Sequence, residues 1–594
     1  QPGADQRIAG DTRRRVADGH ADRVGSRNAR KSCADGCVCR GHHIDFYATT
    51  MSGIAVPRLC ETRYDNAARR LLLNIAISIV TIGSDAFLTE GAAVKNIHLV
   101  LFSVLAIASA QAQPHSALWG TSGERWNPES RLPDFSFAGY QRGEAPLPSP
   151  QASHNVRDFG AKGDGQTDDS DAFLKALAEI REGVLFVPEG RYIVTKILVV
   201  DKSRLVIRGE DPSKTTLYFP KPLNEIKPNQ GETTGGRPTS NYSWSGGFIW
   251  LQGDFNRKKV AAIATPAKRG AYFITLDDTS QVAVGQELEL RMDDEETNSL
   301  ANHLYSGDPR ISMEKILGRT RVTMLSRIRK IDGATITLDR PLRWDIEPKW
   351  KPIVSQVAPT LTESGIENLR FELPNTPYEG HFTELGFNAF ALSNTAHCWV
   401  RNIHVHNADS GGFVSGVFNT IDGMQCTSER KADKSRKSTG HHGVTLGGAD
   451  NLMTNFDFQM SFIHDLTVSN SAGNVFSNGR GVDLSLDHHR RAPYENLFTN
   501  IDVGKGTRIW LCGGGADLGA HCGARGTFWN VRAANTIEPP DKNFGPWSMS
   551  FVGLKMNVAQ ETNAEGRWFE HTDAATVQPA SLHEAQLARR LAAK

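Results

Sequence analysis

The sequence predicts an all-β protein whose strands stack as a parallel β-helix, a solenoid with a small β insertion and an N-terminal cap helix. Short strands with a shared polar–Asn–apolar pattern recur along the second half of the chain. Glycine is frequent, at 55 of 594 residues, as expected for a chain with many turns. One such strand cannot bury its apolar face alone, so the recurrence itself predicts stacking.

The recurring segments define the expected rungs. Successive segments begin 10 to 53 residues apart, which is typical of rungs that carry loops of different length. Their asparagines are expected to stack at one corner of the solenoid. The segments are ENLRF 367–371, RNIHV 401–405, TNFDF 454–458, HDLTV 464–468, TNIDV 499–503 and WNVRA 529–533, and the asparagines are Asn368, Asn402, Asn455, Asn500 and Asn530.

The middle residue of each segment is expected to point outward, because side chains alternate along a strand. These residues would then form one exposed column of acids, arginines and histidine, a mixture suited to binding sugars. The column is Arg370, His404, Asp457, Thr467, Asp502 and Arg532. We assign Arg370, His404, Asp457 and Asp502 to substrate binding, together with Arg508.

Composition changes along the chain predict six regions. The insertion is expected to be antiparallel, because apolar and polar residues alternate there between glycine turns. The regions are a leader at 1–112, an extended Pro/Ser/Gly-rich arm at 113–154, the first rungs at 155–225, the insertion at 226–354, the main β-helix at 355–555 and a tail at 556–594.

Charge and hydropathy exclude two classes of protein. Lys and Arg number 67 and Asp and Glu number 66, so the formal charge of +1 argues against a strongly basic nucleic-acid binder. The chain lacks an apolar run of the roughly 18 residues needed to span a membrane. The outward column, which is suited to binding sugars, makes a polysaccharide the expected partner. The sequence leaves the oligomeric state open.

A secretory signal is predicted at 95–112. Lys95 precedes an apolar run, and Ala108-Ser109-Ala110 and Ala110-Gln111-Ala112 fit the small-residue cleavage rule. This pattern predicts a start near 90–97, removal of everything before about 111–113, and a secreted or periplasmic protein. The mature chain would keep four cysteines, Cys398, Cys426, Cys512 and Cys522, which permit two disulfides or buried free thiols.

The segment 155–194 can be read element by element. Val156 and Phe159 belong to a short strand, a glycine-rich loop follows, and Asp168 or Asp169 caps a helix. A strand, a turn and a second strand complete it. NVRDFGAKGDGQTDD followed by VPEGRYIV resembles the opening segment of the pectate-lyase-like superfamily, which includes rhamnogalacturonase/epimerase-like domains. The resemblance implies a right-handed parallel β-helix and relatives that are both lyases and hydrolases.

Two pairs of adjacent histidines suggest where chemistry occurs. Elimination from a uronic-acid polymer needs a group that neutralises the C6 carboxylate, a base for the C5 proton and an acid for the leaving oxygen. The segment 487–494 supplies most of these residue types. We assign His488 or His489 as base, Arg490 as carboxylate partner and Tyr494 as acid, with His441, His442 and Arg525 as second choices.

Two alternatives to a lyase remain open. A glycoside hydrolase needs paired carboxylates, which Asp483 with Asp487 or Asp457 with Asp502 could supply. The segments GHHG and GTRIW match the polygalacturonase-like motifs poorly, which disfavours this alternative. A glycan-binding β-helix needs only polar and aromatic surface, which Trp399, Trp510 and Trp529 could supply. No cofactor is required by the sequence, although a divalent cation such as Ca²⁺ is compatible with it, and the histidine pairs themselves lack a clear ligand set.

Overall fold

The protein folds around two parallel sheets, as the sequence predicts. The structure is a computed structural model that describes residues 115–233, 235–558, 566–570 and 576–593. The predicted leader and signal segment lie outside these residues. Every strand pair within the two large sheets is parallel, and through residues 365–502 the chain passes from one sheet to the other in each rung, which is the arrangement of a β-helix.

The first parallel sheet, sheet A, runs the length of the molecule. It contains β1 (His154–Asn155), β2 (Asp164–Asp168), β3 (Gly183–Val187), β4 (Gly190–Ile193), β6 (Leu205–Gly209), β7 (Thr215–Tyr218), β17 (Gly365–Glu372), β19 (Trp399–His406), β21 (Thr420–Thr427), β23 (Leu452–Thr454), β24 (Asp457–Phe458), β26 (Val475–Gly481), β28 (Leu497–Asp502), β29 (Thr527–Arg532), β30 (Ser550–Val552) and β31 (Trp568–Glu570). The second, sheet B, contains β5 (Leu198–Val200), β10 (Ile249–Gln252), β18 (Asn388–Ala396), β20 (Ser410–Val417), β22 (Gly440–Ala449), β25 (Phe462–Ala472) and β27 (Leu486–His488).

The apolar core lies between these sheets. It consists of stacked aliphatic and aromatic side chains, including the parallel ring pairs Phe476–Phe498 and Phe528–Phe551, whose centroids are 5.0 and 5.1 Å apart. The core fills the solenoid, so polar chemistry is confined to its outer faces and loops.

An antiparallel module interrupts the solenoid, but it begins at Phe255 and not at 226. The strand β10 falls inside the predicted insertion, yet it pairs in parallel with β5 and β18 and so belongs to sheet B. The module contains β11 (Phe255–Ala262), β12 (Phe273–Thr275), β13 (Glu287–Asp293), β14 (Arg321–Asp332), β15 (Thr335–Leu338) and β16 (Ile353–Pro359). A separate hairpin is formed by β8 (Gln230–Glu232) and β9 (Pro238–Ser240).

The described helices are short. They are α1 (Ser170–Glu179), α2 (Leu223–Ile226), α3 (Ser299–Leu304) and α4 (Leu582–Ala592), with single 3-10 turns at Tyr140–Gly143, Val156–Phe159, Asn241–Ser243, Glu314–Ile316 and Pro348–Trp350. Helix α1 follows β2, and the Asp168 carboxylate accepts a hydrogen bond from the Ser170 N–H at 3.0 Å. Asp169 accepts from the backbone of Lys162 and Gly163 and so holds the glycine-rich loop. No described helix is long and apolar enough to span a membrane.

The arm and the tail pack together on the outside of sheet A. Trp119, Leu132 and Phe135 of the arm share an apolar cluster with Trp529 and with Leu582 of α4. The Gln586 side chain donates to the Pro133 carbonyl and accepts from the Phe135 N–H, which joins the two segments. The predicted tail therefore ends in a helix that covers the solenoid.

The predicted asparagines lie at one bend of sheet A. Asn402 donates to the Asn368 side chain at 3.0 Å, and Asn530 donates to Asn500 at 3.3 Å. Each adopts a left-handed φ of about 50–55°, which asparagine tolerates better than most residues. A second, fully buried ladder, which the sequence analysis missed, runs through Asn419, Asn451, Asn474 and Asn496.

The predicted column is correct except for one member. Register places Arg370, His404, Asp457, Asp502 and Arg532 on successive strands of sheet A, with Gln425 and Arg480 completing the row. Thr467 was misplaced. It lies on β25 of sheet B, because the apolar-x-apolar pattern is the same in both sheets.

All four cysteines of the described chain carry free thiols. Burial raises the pKa of Cys398 and of Cys522 to about 12, so both stay protonated at neutral pH. These thiols pack as apolar groups, and the disulfide alternative is not realised in this structure.

Candidate functional site

Five histidine rings meet at one edge of sheet B, and we call this group the histidine cluster. Adjacent ring centroids lie 4.2 to 6.0 Å apart. Its members are His381, His441, His442, His464 and His489. Three of them, His441, His442 and His489, were expected from the sequence, whereas His381 and His464 were not.

Strand register brings the central members together. Ser410 of β20, His442 of β22 and His464 of β25 are direct neighbours across the sheet. The glycine that ends GHHG is required here. A Cβ on Gly443 would lie 2.2 Å from the Asp465 carbonyl oxygen and 2.5 Å from the Phe458 ring.

Asp487 organises the outer side of the cluster. Its Oδ2 lies 2.8 Å from Nδ1 of His489 and 3.2 Å from Nδ1 of His464. The Thr467 hydroxyl and the Gly513 N–H also donate to this carboxylate, at 3.1 and 2.7 Å. Asp487 is fully buried, whereas the His489 side chain is 32% exposed. The carboxylate therefore holds His489 in place without facing solvent itself.

The glycines of CGGG, residues 512–515, allow the backbone to pass close to His489 and His464. A Cβ on Gly513 would lie 2.2 Å from Cε1 of His489 and 2.8 Å from Cε1 of His464. Only a glycine at this position lets its N–H reach Asp487 while the imidazoles stay where they are.

The loop between β17 and β18 supplies His381 and Glu384. It is anchored by Arg430, which donates to the Thr376 carbonyl and to the Asp409 carboxylate, both at 2.8 Å. The Tyr378 hydroxyl donates to Oε1 of Glu384, and the same oxygen lies 3.4 Å from Nδ1 of His441.

The pKa values of His381, His441 and His442 are shifted in the opposite direction from that of His489. Burial and the neighbouring imidazoles hold the pKa of His441 and of His442 well below the ordinary value. Burial, His464 and Arg436 lower the pKa of His381 to about 3. Burial opposes the charged form of His489, but the Asp487 charge and hydrogen bond outweigh it and raise its pKa.

The two carboxyl groups are shifted in opposite directions. Burial raises the pKa of Glu384 to about 7. Burial also opposes ionisation of Asp487, but His489 and His464 stabilise the carboxylate and hold its pKa well below the ordinary value.

His488 lies on the opposite side of its strand from the cluster. Its ring packs 5.3 to 5.5 Å from Phe498, Phe528 and Phe544, and the residue is fully buried. Burial lowers its pKa to about 4. The structure thus separates the two histidines that the sequence left equivalent: His489 belongs to the cluster and His488 does not.

Three other predicted catalytic residues lie outside the cluster. The chain turns sharply after His489, and Arg490 donates to the Gly519 carbonyl and approaches His521 at 3.1 Å. The Tyr494 hydroxyl is buried and accepts from the Trp344 indole at 2.9 Å. Arg525 donates to Glu495 at 2.6 Å. Arg490 is thus bound to a backbone carbonyl, Tyr494 is packed beside Trp344, and Arg525 forms an ion pair.

The predicted substrate-binding residues also lie apart from the cluster. Arg370, His404, Asp457 and Asp502 are on sheet A, where Asp457 pairs with Arg480 at 2.8 Å. Arg508 lies closer to sheet B and donates to the Phe462 and Ile463 carbonyls.

The carboxylates and tryptophans of the alternative functions are engaged elsewhere. Asp483 accepts from Thr507, and Asp487 is held by hydrogen bonds with His489, Thr467 and Gly513. Trp399 and Trp529 are buried, and the half-buried Trp510 donates its indole N–H to the Glu538 carbonyl at 2.8 Å. A cavity of about 420 Å³ lies between the antiparallel module and sheet B, with Arg257, Glu289 and Tyr494 among its lining residues. None of the five histidines lines it, so the site is assigned on its chemistry and not on cavity size.

Residues 153–234 match the family model described as Rhamnogalacturonase A/epimerase, pectate lyase-like. This segment is therefore similar to the pectate-lyase-like family. That match confirms the resemblance seen in its motif. The matched region carries the first rungs and not the histidine cluster, so it identifies the start of the solenoid and assigns no role to the site.

Two curated relatives are polysaccharide-degrading enzymes of different classes. A glucan 1,3-beta-glucosidase of Cochliobolus carbonum is 36% identical over 74 residues, 10% of this chain and 9% of that protein. Alginate lyase 7 of Azotobacter vinelandii is 30% identical over 137 residues, 21% of this chain and 16% of that protein. The chain thus covers less than a fifth of either relative's length.

Solved structures give distant matches. The tailspike protein gp49 from Pseudomonas phage LKA1 is 11% identical with a TM-score of 0.38, covering 70% of this chain and 68% of that one. An exopolygalacturonase from Thermotoga maritima is 11% identical with a TM-score of 0.32, covering 69% and 77%.

Proposed function

We propose that this protein is a secreted enzyme that cleaves a uronic-acid-containing polysaccharide by β-elimination. The observation that carries the proposal is the Asp487–His489 pair at the solvent edge of the histidine cluster. A buried carboxylate and a partly exposed imidazole are the parts of a positioned base.

His489 is the base in this proposal. Its Nδ1–H donates to Asp487, which leaves Nε2 to accept a proton from substrate. Nε2 takes the C5 proton, a C4–C5 double bond forms as the bond between C4 and the glycosidic oxygen breaks, and the imidazolium of His489 passes that proton to the leaving oxygen. An aspartate that fixes the tautomer and orientation of a histidine supports proton transfer in this way.

Basic residues beside the cluster favour an anionic polymer. Arg436 and Arg237 are exposed, and both lie close enough to lower the pKa of His381. The loop that carries Arg436 also exposes Lys431, Lys434 and Lys437. Of its two acids, Glu429 is exposed, whereas Asp433 is buried and accepts from the backbone of Ser435, Arg436 and Ser438. The loop is therefore shaped by its buried acid and presents mainly positive charge.

A panel of polysaccharides tests the proposal. The protein is incubated with several uronic-acid polymers and with a neutral glucan, and both ultraviolet absorbance and reducing ends are followed. Elimination yields an unsaturated uronate that absorbs together with each new reducing end. Reducing ends without absorbance would establish hydrolysis instead. The absence of both products on every polymer would favour a binding protein.

A further inference from the structure

We propose that His381, His441 and His464 bind one divalent transition-metal ion, for which Zn²⁺ is the appropriate probe. One ring nitrogen from each of these residues lies within 4.8 Å of the others. The proposal is independent of the elimination reaction, because it predicts metal binding in the absence of any polysaccharide.

The rings have the spacing of a three-histidine metal site. Their centroids are 4.6 Å apart for His381 and His441, 5.5 Å for His441 and His464, and 5.7 Å for His381 and His464. Imidazoles around a tetrahedral zinc, with N–Zn bonds of about 2.0–2.1 Å, place their centroids roughly 5 Å apart. Small side-chain rotations would therefore bring all three onto one ion.

One buried nitrogen of the site lacks any partner. Nε2 of His464 is buried without a hydrogen bond among the described residues, whereas Nδ1 of His441 and of His464 each face a carboxylate. Leaving a buried polar atom unsatisfied costs about 1–3 kcal/mol, so Nε2 of His464 is expensive unless a ligand satisfies it. Burial also keeps the pKa of His441 low, so its lone pairs are available.

Two carboxylates occupy the positions that orient metal-binding histidines. Oε1 of Glu384 lies 3.4 Å from Nδ1 of His441, and Oδ2 of Asp487 lies 3.2 Å from Nδ1 of His464. A metal-bound histidine commonly donates its other N–H to a carboxylate, which fixes the tautomer. Glu384 and Asp487 are therefore positioning residues, and Nε2 of His441 and of His464 is the nitrogen left for the ion.

The donor set selects the class of metal. Imidazole nitrogens suit Zn²⁺ and its first-row neighbours, whereas Ca²⁺ takes six to eight oxygen ligands. The Ca²⁺ that the sequence left open therefore does not fit these three residues. His381 is half-buried on a loop, which gives the ion a route to solvent.

Calorimetric titration of chelator-treated protein without a polyhistidine tag tests the site. Wild-type protein should bind one Zn²⁺ per chain, and a large excess of Ca²⁺ should not displace it. His381→Ala alters a loop residue and should fold normally, as circular dichroism will show, yet lose Zn²⁺ affinity by more than about 100-fold, beyond the cost of losing an outer partner. Glu384→Gln should lose about 10- to 100-fold. His154→Ala, a half-buried histidine on β1, should bind like wild type.

Three results would overturn the proposal: no Zn²⁺ binding by wild-type protein, displacement by Ca²⁺, or wild-type affinity in folded His381→Ala. His464, Asp487 and His489 form a second possible ligand set, whose ligand atoms also lie within 4.8 Å of one another. His489→Ala tests that set, and on our proposal this variant should retain the ion. Loss of Zn²⁺ from His489→Ala together with retention by His381→Ala would assign the ion to that set and overturn the role of His381.

Discussion

Nδ1 of His489 lies 2.8 Å from Oδ2 of Asp487, and this pair is a point at which the buried histidine cluster reaches solvent. The carboxylate is fully buried and also faces His464, while the His489 side chain is 32% exposed. The pair thus combines a fixed orientation with access to a substrate.

Two adjacent histidines provide a matched test of the base. His489→Ala should lower kcat by roughly 100- to 10,000-fold, the usual contribution of a positioned base. His488→Leu should retain activity, because His488 packs among phenylalanines and leucine preserves an apolar side chain there. Initial rates on the best uronate polymer measure both, with circular dichroism to verify folding. Activity that survives in His489→Ala but not in folded His488→Leu would reverse the assignment.

Substitution of Gly513 tests whether the close approach of the CGGG backbone to His489 and Asp487 matters for catalysis. Gly513→Ala should push His489 aside and lower kcat by up to about 100-fold, since a displacement of about 1 Å can cost that much. Gly235→Ala is the control, because Gly235 is on an exposed loop and an added Cβ would meet only the Thr233 hydroxyl, at 3.9 Å. An unchanged kcat in Gly513→Ala would show that the imidazole position is not critical.

Sequence alone predicted the sheet A column but not the histidine cluster. Arg370 and His404 could be aligned because each rung repeats the same local strand pattern. His464 was missed because its position beside His442 depends on register between strands of sheet B. His381 comes from a loop with no repeat, and its place depends on the buried Arg430–Asp409 pair.

The same limits explain the residues that were misassigned. Arg490 follows His489 directly, but three successive left-handed residues turn its side chain toward Gly519. Tyr494 contacts Trp344 of the antiparallel module, a partner 150 residues away in the chain. Neither a backbone reversal nor a contact between distant segments is visible in the composition of 487–494.

Arg436 should contribute to binding of an anionic polymer and not to the chemical step. Arg436→Ala should raise KM by about fivefold, the equivalent of about 1 kcal/mol for an exposed ion pair, and leave kcat unchanged. The difference should shrink at high salt because exposed charges are screened. Arg181→Ala, an exposed arginine near α1, should leave KM unchanged. A fall in kcat without a change in KM would contradict this role.

Asp450 joins the β-helix to the antiparallel module and should make stability depend on pH. Burial opposes its charge, but Arg340 and Arg343 overcome this and lower its pKa to about 2. The folded pKa lies below the unfolded value of about 3.9, so the ion pairs contribute about 2 kcal/mol above pH 4. This contribution is lost as pH falls toward 2.

Asp450→Asn measures that contribution. It should be about 3–5 kcal/mol less stable than wild type near neutral pH, because the buried Arg340 loses its carboxylate partner and the buried Arg343 keeps only Glu495, at 3.7 Å. The difference should narrow in acid, as urea unfolding at several pH values would show. Asp332→Asn, an exposed pair with Lys330, should change stability by less than about 0.5 kcal/mol. An acid dependence identical in wild type and Asp450→Asn would exclude this cause.

The mass of the oligosaccharides released from a uronate polymer tests elimination at His489 most directly. Elimination cleaves the chain without adding water, so one fragment of each cut carries a double bond and lacks the mass of one water relative to a hydrolysis product. Mass spectrometry should find such unsaturated fragments with wild-type protein and lose them with folded His489→Ala. Fragments that each contain an added water, or unsaturated fragments undiminished in His489→Ala, would contradict it.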